Sequence, residues 1–313
     1  MVGLSGNGST SKSSSTASQR SKASRKKIHS AFLTQCLVLL KRSSKQIYRD
    51  ISNYWLRLSV FIAISVSLGS IFYKVGASMT SIQERGSLLC FFVSVLSFMT
   101  LIGGFSPLIE EMKVLKRERL NGHYGITAFL VGSTFSAVPY TLLISIIPGA
   151  IVNYLSGLHK GLENFVYFSS VLFGIVMWVE SLMMVVGSIF PNFVMGVITA
   201  GGVEGLMILT SGFYRLPNDL PKPLWKYPFY HVSFLNYAFQ GLLKNEFEGL
   251  MFRPDEDGGI SLSGRYILSE TWHVQMGHSK WVDLAIMFGM ILLYRVLFLV
   301  ITKCKEKTCS CWH

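Results

Sequence analysis

Long apolar runs separated by short polar segments make up most of this 313-residue chain. A helix needs about 20 mostly apolar residues to cross the hydrocarbon core of a bilayer. Residues 86–109 and 124–158 contain no Asp, Glu, Lys or Arg, and four further runs carry no more than two such residues each. We predict an all-α integral membrane fold with six transmembrane helices, at about 52–73, 86–109, 126–155, 164–190, 192–214 and 283–302.

The segments outside these spans differ in composition. Residues 1–30 hold ten serines and no acidic residue, which is typical of a disordered cytosolic tail and also suits an organellar transit peptide. Residues 31–49 combine an apolar face with a basic face at helical spacing, so they predict an amphipathic helix on the membrane surface or against a cytosolic domain. Residues 215–280 are predicted as a large external loop whose aromatic residues suit the membrane–water interface. Residues 304–313 form a Cys-rich cytosolic tail.

The net charge of +12 carries topological information because of where the basic residues lie. Lys and Arg cluster before the first predicted span, between the second and third, and after the sixth, and they are sparse in the alternate short loops. Cytoplasmic flanks of membrane helices collect Lys and Arg. The pattern predicts a multi-pass membrane protein with both termini in the cytosol, and it disfavours a nucleic-acid partner.

Signatures of enzymatic or metal sites are missing from the sequence. It contains no G-x-x-x-x-G-K-[ST] phosphate loop and no G-x-S-x-G nucleophile elbow, and its seven histidines do not cluster. We therefore expect no ATPase or other catalytic residues, no metal site and no cofactor bound by this chain. The acidic residues at 255–257 lack the spacing of an EF-hand, so calcium binding there is disfavoured.

Three cysteines, Cys304, Cys309 and Cys311, follow the last predicted span. Cysteines that lie just beyond a membrane helix are candidates for reversible palmitoylation. Free cytosolic thiols are the alternative reading of the same positions.

Three charged residues inside predicted spans stand out: Glu180, Glu204 and Arg295. A charge at a helix centre costs about 2.5–3.5 kcal/mol on insertion scales, so each should face protein or water. Glu180 and Arg295 lie at depths that match within roughly 5 Å at 1.5 Å per residue. We hypothesise that they form an ion pair that positions spans four and six, as a packing bridge more than as a substrate contact. Glu204 has no obvious partner, which favours a protonated, hydrogen-bonded carboxyl.

Small residues crowd spans four and five, and they have two readings. Glycines on one helix face let neighbouring helices approach closely. They serve either the packing of the chain's own bundle or a dimer seam along span five.

Residues 110–119 mix both charge signs densely between spans two and three, on a predicted helix. Such a segment is either a solvated surface helix or a docking site for a cytosolic partner.

Three motifs connect the chain to a known family: residues 117–125 (RERLNGHYG), 191–196 (PNFVMG) and 211–217 (SGFYRLP). In this order they resemble the transmembrane domain of plant half-size ABC transporters of the G, or white/brown-complex, subfamily, with most similarity to exporters of cuticular wax and cutin lipids. The resemblance covers about residues 30–303. It implies an ABC-2 type (G-type exporter) fold with a connecting helix at 31–49 and re-entrant helices in the external loop.

The same resemblance implies roles for individual residues. Met99 and Ile208 are expected to line a central cavity, and Phe213 and Tyr214 to form a hydrophobic valve above it. In a reading from composition alone, these four are ordinary apolar residues of the spans. The coupling helix that receives the ATPase stroke would include Glu110, Glu111, Lys113, Arg117, Glu118 and Arg119.

Members of this family work as homo- or heterodimers at the plasma membrane, where ATP and Mg²⁺ bind a nucleotide-binding domain. In the family that domain precedes the connecting helix, and here only residues 1–30 stand before it. We therefore expect ATP hydrolysis in trans or from a missing domain, as in a true isoform, a truncated gene or a pseudogene product.

Two functions from different classes follow from this resemblance. The leading one is a membrane subunit of an ATP-driven exporter that moves membrane lipids outward. The alternative is a non-transporting partner that dimerises with full-length half-transporters and modulates their assembly or trafficking. An ion channel is disfavoured because the sequence shows no filter-like segment or charged ring.

Overall fold

The computed structural model describes residues 32–120, 124–215, 221, 225, 229–252 and 261–310. A helix α1 over residues 32–49 is followed by one π-helical turn at Ile51–Trp55. The remaining helices are α2 (Leu56–Ile71), α3 (Met79–Leu120), α4 (Ile126–Ser156), α5 (Leu162–Ile189), α6 (Phe193–Leu209), α7 (Tyr230–Val232), α8 (Phe234–Phe247), α9 (Gly264–Glu270) and α10 (Lys280–Ser310). Two strands, β1 (Met251–Phe252) and β2 (Leu262–Ser263), pair antiparallel between α8 and α9. The tail at 1–30 and the acidic residues at 255–257 lie outside the described residues.

The predicted fold class, an all-α membrane protein, is confirmed. Among the described residues, five helices are long and apolar enough to cross a membrane: Asn53–Ile71, Met79–Arg119, Ile126–Ser156, Leu162–Ile189 and Lys280–Lys305. The run predicted as a fifth span at 192–214 is represented by the 17-residue helix α6, which ends at Leu209. The chain turns after α6, and Gly212 adopts a φ of 87°, which lies outside the right-handed helical region.

Helix α3 is longer than the span predicted within it. It runs without interruption for 42 residues, so residues 110–119 continue the membrane helix instead of forming a separate one. No glycine lies between Ile109 and Leu120, and the one proline in the helix, Pro107, lies before that segment. The polar end of α3 and its membrane part therefore belong to one helix.

Helix α5 is the centre of the bundle. It packs against α3, α4, α6, α8 and α10, and its side chains are buried on most of its faces. Trp178 is fully buried and stacks on Phe234 of α8, with ring centroids 3.7 Å apart. A helix that is apolar on all sides is typical of such a central position.

The segment predicted as an external loop contains a buried helix. Every residue of α8 except Tyr237 is buried, and α8 packs against α3, α5 and α10. Phe234 and Phe239, which we predicted to be aromatic residues of the membrane–water interface, belong to the core. Both side chains are therefore covered by neighbouring helices, and their depth relative to the membrane–water interface stays a prediction.

Helix α9 is packed closely against the end of α8. A Cβ atom added at Gly264 would lie 2.0 Å from the carbonyl oxygen of Phe247. Because backbone cannot move aside as a flexible side chain does, only glycine fits the contact that joins α9 to α8.

Candidate functional site

The intramembrane ion pair concerns Glu180 on α5 and Arg295 on α10. Arg295 Nη2 lies 3.9 Å from Glu180 Oε2. Arg295 also donates hydrogen bonds from Nε to Ser181 Oγ at 2.9 Å and from Nη1 to Thr134 Oγ1 at 2.8 Å. The guanidinium therefore links α4, α5 and α10 at one depth of the bundle.

Glu204 differs from this pair because it lies in an apolar setting. Its side chain on α6 is fully buried, and neither carboxylate oxygen has a hydrogen-bond partner within the described ranges. The side chain of Ser97 on α3 lies close enough to interact with Glu204, and its hydroxyl donates to the carbonyl oxygen of Ser94 at 3.0 Å. The protonated, hydrogen-bonded carboxyl that we expect at Glu204 stays a prediction.

The predicted coupling segment meets α1 at one ion pair. Arg42 Nη1 lies 2.7 Å from Glu118 Oε1, and the hydroxyl of Tyr124 donates to Glu118 Oε2 at 2.7 Å. Partial burial raises the pKa of Tyr124, and the hydrogen bond to Glu118 raises it further. The Glu118 carboxylate therefore links α1 and the residues just before α4 to the polar end of α3.

The other residues of the predicted coupling segment face different surroundings. Glu110, Lys113 and Arg117 are exposed and available to a partner. Glu111 instead lines a cavity inside the bundle together with Glu180. Arg119 is partly buried. The segment thus presents one face to solvent and another to the bundle.

The two predicted valve residues follow α6. Phe213 is half-buried, and its ring packs against Tyr214, Phe239 and Trp272 with centroids 5.3, 5.4 and 5.5 Å away. Tyr214 itself is exposed. An aromatic cluster therefore joins the end of α6 to α8 and to the segment after α9.

The two predicted cavity residues lie on neighbouring helices. Met99 on α3 is 37% exposed, and Ile208 on α6 is partly buried against the core. Helices α3 and α6 pack against each other. On α6, a Cβ added at Gly202 or Gly205 would meet no atom within 4 Å, so this face of α6 opens to the outside of the chain.

Sequence reasoning missed a charged cluster where α8 meets the first turn of α10. Lys244 Nζ lies 2.8 Å from Asp283 Oδ2 and donates to the carbonyl oxygen of His278 at 3.3 Å. His278 Nε2 lies 2.6 Å from Asp283 Oδ1. Lys244 and Asp283 are buried, so this pair is removed from solvent screening.

A second missed pair joins α8 to the start of α3. Arg85 donates a hydrogen bond to the Glu246 carboxyl and forms an ion pair with it when that carboxyl is ionised, and its Nη2 donates to the carbonyl oxygen of Val75 at 2.7 Å. The backbone N–H of His159 donates to Glu246 Oε2 at 2.9 Å. Burial raises the pKa of Glu246 to about 7, although Arg85 and the His159 N–H act in the opposite direction.

The sequence does contain a signal for these contacts. Asn236, Gln240 and Lys244 recur every four residues, which places a polar stripe on one side of an otherwise apolar helix. Gln240 Nε2 donates to Tyr230 Oη and to Asn236 Oδ1, both at 2.7 Å. A buried helix that carries such a stripe needs polar partners on its neighbours, and Asp283 supplies one.

We expect Glu246 to make stability depend on pH. The folded carboxyl keeps its proton up to about pH 7, whereas its ordinary pKa is 4.5. The contribution of Glu246 to the free energy of unfolding is therefore fully present below about pH 4.5 and is lost as the pH rises through about 7, by about 3 kcal/mol. Glu246→Gln should remove this slope in thermal unfolding curves recorded between pH 4.5 and 8.

Glu248→Gln is the matched control, because Glu248 is an exposed carboxylate two residues away. It should leave the slope as in the unmodified protein. Equal slopes in the Glu246→Gln and Glu248→Gln variants would contradict the assignment of the titration to Glu246.

Comparison with known proteins gives a consistent result. Residues 34–247 match the family described as ABC-2 type transporter. The chain is 52% identical over 281 residues to ABC transporter G family member 1 of Petunia hybrida, which covers 90% of this chain and 43% of that protein. It is 42% identical to ABC transporter G family member 11 of Arabidopsis thaliana over 276 residues, 88% of this chain and 39% of that protein. It is 36% identical to ABC transporter G family member 13 of Arabidopsis thaliana over 279 residues, which are 89% of this chain and 41% of that protein. The chain thus spans well under half the length of these relatives.

Proposed function

The chain belongs to the ABC-2 type transporter family, and from this premise we propose that it is the membrane-spanning subunit of an ATP-driven exporter of lipids. ATP and Mg²⁺ bind a nucleotide-binding domain outside these 313 residues. The substrates are membrane lipids of the wax and cutin type, and the subunit acts at the plasma membrane with both termini in the cytosol. Its partner is a second copy or another G-type half-transporter.

The open glycine face of α6 is the observation that carries this proposal. Gly202 and Gly205 present backbone without side chains to the outside of the chain, beside α3, which bears Met99. Small residues at a helix surface allow another helix to approach closely. Such a face suits a second subunit across a shared cavity whose apolar walls accept long lipid chains.

The contact between α1 and α3 suits transmission of the ATPase stroke. Glu118 holds α1 through Arg42, and the exposed residues Glu110, Lys113 and Arg117 lie on the same helix. Because α3 continues without a break into the membrane, a push on its polar end displaces the helix that carries Met99. At the other end of the path, Phe213 and its aromatic neighbours form the valve.

Co-expression with a full-length G-type half-transporter tests the proposal. Efflux of a radiolabelled long-chain lipid from cells is expected to rise above that of the partner alone. Gly202→Trp should return efflux to the level of the partner alone, because the indole fills the space between subunits.

Leu293→Trp is the control, since Leu293 is an exposed apolar residue on α10. It should leave efflux unchanged. Similar efflux in the two tryptophan variants would contradict the role of the α6 face. Efflux below that of the partner alone would instead support the non-transporting modulator.

A further inference from the structure

Two cavities meet beside the N-terminal end of α2. The first, of about 70 Å³, lies among α2, α3, α4 and α5 and is lined by Arg57, Glu111 and Glu180. The second, of about 140 Å³, is a mostly apolar groove between α1, α2 and α4, lined by residues such as Trp55 and Leu143. Four residues line both: Ile47, Tyr54, Ser136 and Tyr140.

Arg57 has unused hydrogen-bond donors in the polar cavity. Its Nε and Nη2 atoms are buried, and no described residue accepts a hydrogen bond from them. The guanidinium carbon lies 5.7 Å from the ring centroid of Phe61 and 5.9 Å from that of Tyr140, which fixes its plane between two aromatic faces. Buried guanidinium donors almost always have an acceptor, and two adjacent donors match the two oxygens of a phosphate group.

The wall between the two cavities is built from Tyr54 and Tyr140. The hydroxyl of Tyr140 donates to the carbonyl oxygen of Tyr54 at 2.8 Å, and the two rings meet edge to face at 4.9 Å. Tyr54 belongs to the π-helical turn Ile51–Trp55. Such turns are frequent at functional sites, and this one directs Tyr54 toward the cavities and Trp55 toward the outside of the bundle.

The charges around the polar cavity indicate which headgroup it accepts. Arg57 faces two carboxylates, Glu111 and Glu180, and Glu180 is shared with Arg295 at 3.9 Å. The two arginines and the two carboxylates together carry no net charge. A purely anionic headgroup would leave this neutral site with one uncompensated negative charge, whereas a headgroup with one phosphate and one ammonium adds no net charge and finds an opposite charge for each group.

We propose that the two cavities form one binding site for a zwitterionic phospholipid with a primary amine, of the phosphatidylethanolamine type. Arg57 donates to the phosphate, Glu111 and Glu180 receive the ammonium group, and an acyl chain lies in the apolar groove. Tyr48 and Trp55, whose rings are 6.4 Å apart, stand at the open side of the groove, as aromatic residues do at a membrane interface. The site is separate from the open face of α6 and does not rest on the proposed export of lipids.

Native mass spectrometry of the purified chain in detergent, with added phosphatidylethanolamine, tests this site. One lipid per chain is expected to bind. Arg57→Gln should weaken binding by about tenfold or more, because it removes charge-assisted hydrogen bonds to the phosphate. Arg49→Gln, at an exposed arginine of α1, should leave binding unchanged.

A second pair of variants tests the groove without changing the buried charges. Ser44→Trp places an indole in the groove from α1 and should reduce lipid binding as strongly as Arg57→Gln. Gln46→Trp, on an exposed position two residues away, should have no effect. The two variants alter a surface helix, so both are expected to remain folded.

Three partial ligands separate the contributions of the lipid. Diacylglycerol lacks the phosphate, phosphatidylglycerol lacks the amine, and free phosphoethanolamine lacks the chains, so each should bind about tenfold or more weakly than phosphatidylethanolamine. Phosphatidylglycerol that binds as well as phosphatidylethanolamine would overturn the assignment of the amine to the two carboxylates. Equal lipid binding by the unmodified chain, Arg57→Gln and Ser44→Trp would overturn the site.

Discussion

Replacing Lys244 by methionine is expected to lower the free energy of unfolding by about 3–5 kcal/mol. Lys244 and Asp283 are buried, and Lys244 Nζ lies 2.8 Å from Asp283 Oδ2. Methionine keeps the length of the side chain but leaves the Asp283 carboxylate with His278 as its remaining side-chain partner. A buried charge that has lost its opposite charge is costly, because the charge is out of water and its attraction to Lys244 is gone. Unfolding in detergent micelles, followed by a denaturant titration, measures the loss.

An exposed pair in the same region gives the matched control. Arg265 Nη2 lies 3.1 Å from Glu248 Oε1, and both side chains are largely exposed. Arg265→Met should therefore cost about 0–1 kcal/mol. Adding Asp283→Asn to Lys244→Met should recover part of the lost stability, because it removes the unpaired charge. A Lys244→Met variant as stable as Arg265→Met would show that the buried pair does not hold α8 against α10.

The membrane fold could be predicted from the sequence because the signal is strong and local. Runs of about 20 apolar residues have few alternatives to a spanning helix. The helix ends were harder to predict. Nothing in the composition of residues 192–214 shows that α6 stops at Leu209. Residues 110–119 are polar and therefore suggest a separate segment, although α3 continues as one helix through Pro107 into them.

Helix α8 shows which features of the segment at 215–280 the sequence did not predict. Buried charges such as Lys244 and Glu246 look like solvent-exposed residues when only composition is considered, because charged side chains are rarely buried without partners. Their partners, Asp283 and Arg85, are 39 and 161 residues away in sequence. A pairing over that separation depends on the packing of the whole bundle, which periodicity does not encode.

In the candidate site, too, some residues could be predicted from the sequence, whereas their partners could not. Glu180, Glu204 and Arg295 can be selected from sequence alone, since charges inside apolar runs are conspicuous. The two hydroxyl partners of Arg295 and the position of Glu111 on the inner cavity require the structure. Serine and threonine are too common in these helices for their sequence positions to indicate a role.

Exchanging the charges of Glu180 and Arg295 is expected to show that the two groups stabilise the fold as an ion pair. Arg295→Glu alone places two carboxylates side by side, and Glu180→Arg alone places two guanidinium groups there, so each should cost about 3–5 kcal/mol and abolish most of the folded yield. The double variant restores opposite charges on α5 and α10. Ser181 and Thr134 accept hydrogen bonds from Arg295 and donate their own protons to backbone carbonyl oxygens. Each hydroxyl can rotate to donate that proton to a glutamate at position 295 instead.

The double variant is therefore expected to recover at least half of the stability that either single variant loses, measured as monodisperse protein after detergent extraction and by its thermal unfolding. Lys303→Glu reverses an exposed charge on the same helix and should change neither quantity. Arg57 lines the same cavity as Glu180, so it attracts the carboxylate kept in Arg295→Glu but repels the guanidinium of Glu180→Arg and of the double variant, and for this reason the expected recovery is partial. A double variant no better folded than the worse single would mean that the 3.9 Å approach of the two groups contributes nothing to the joining of α5 and α10.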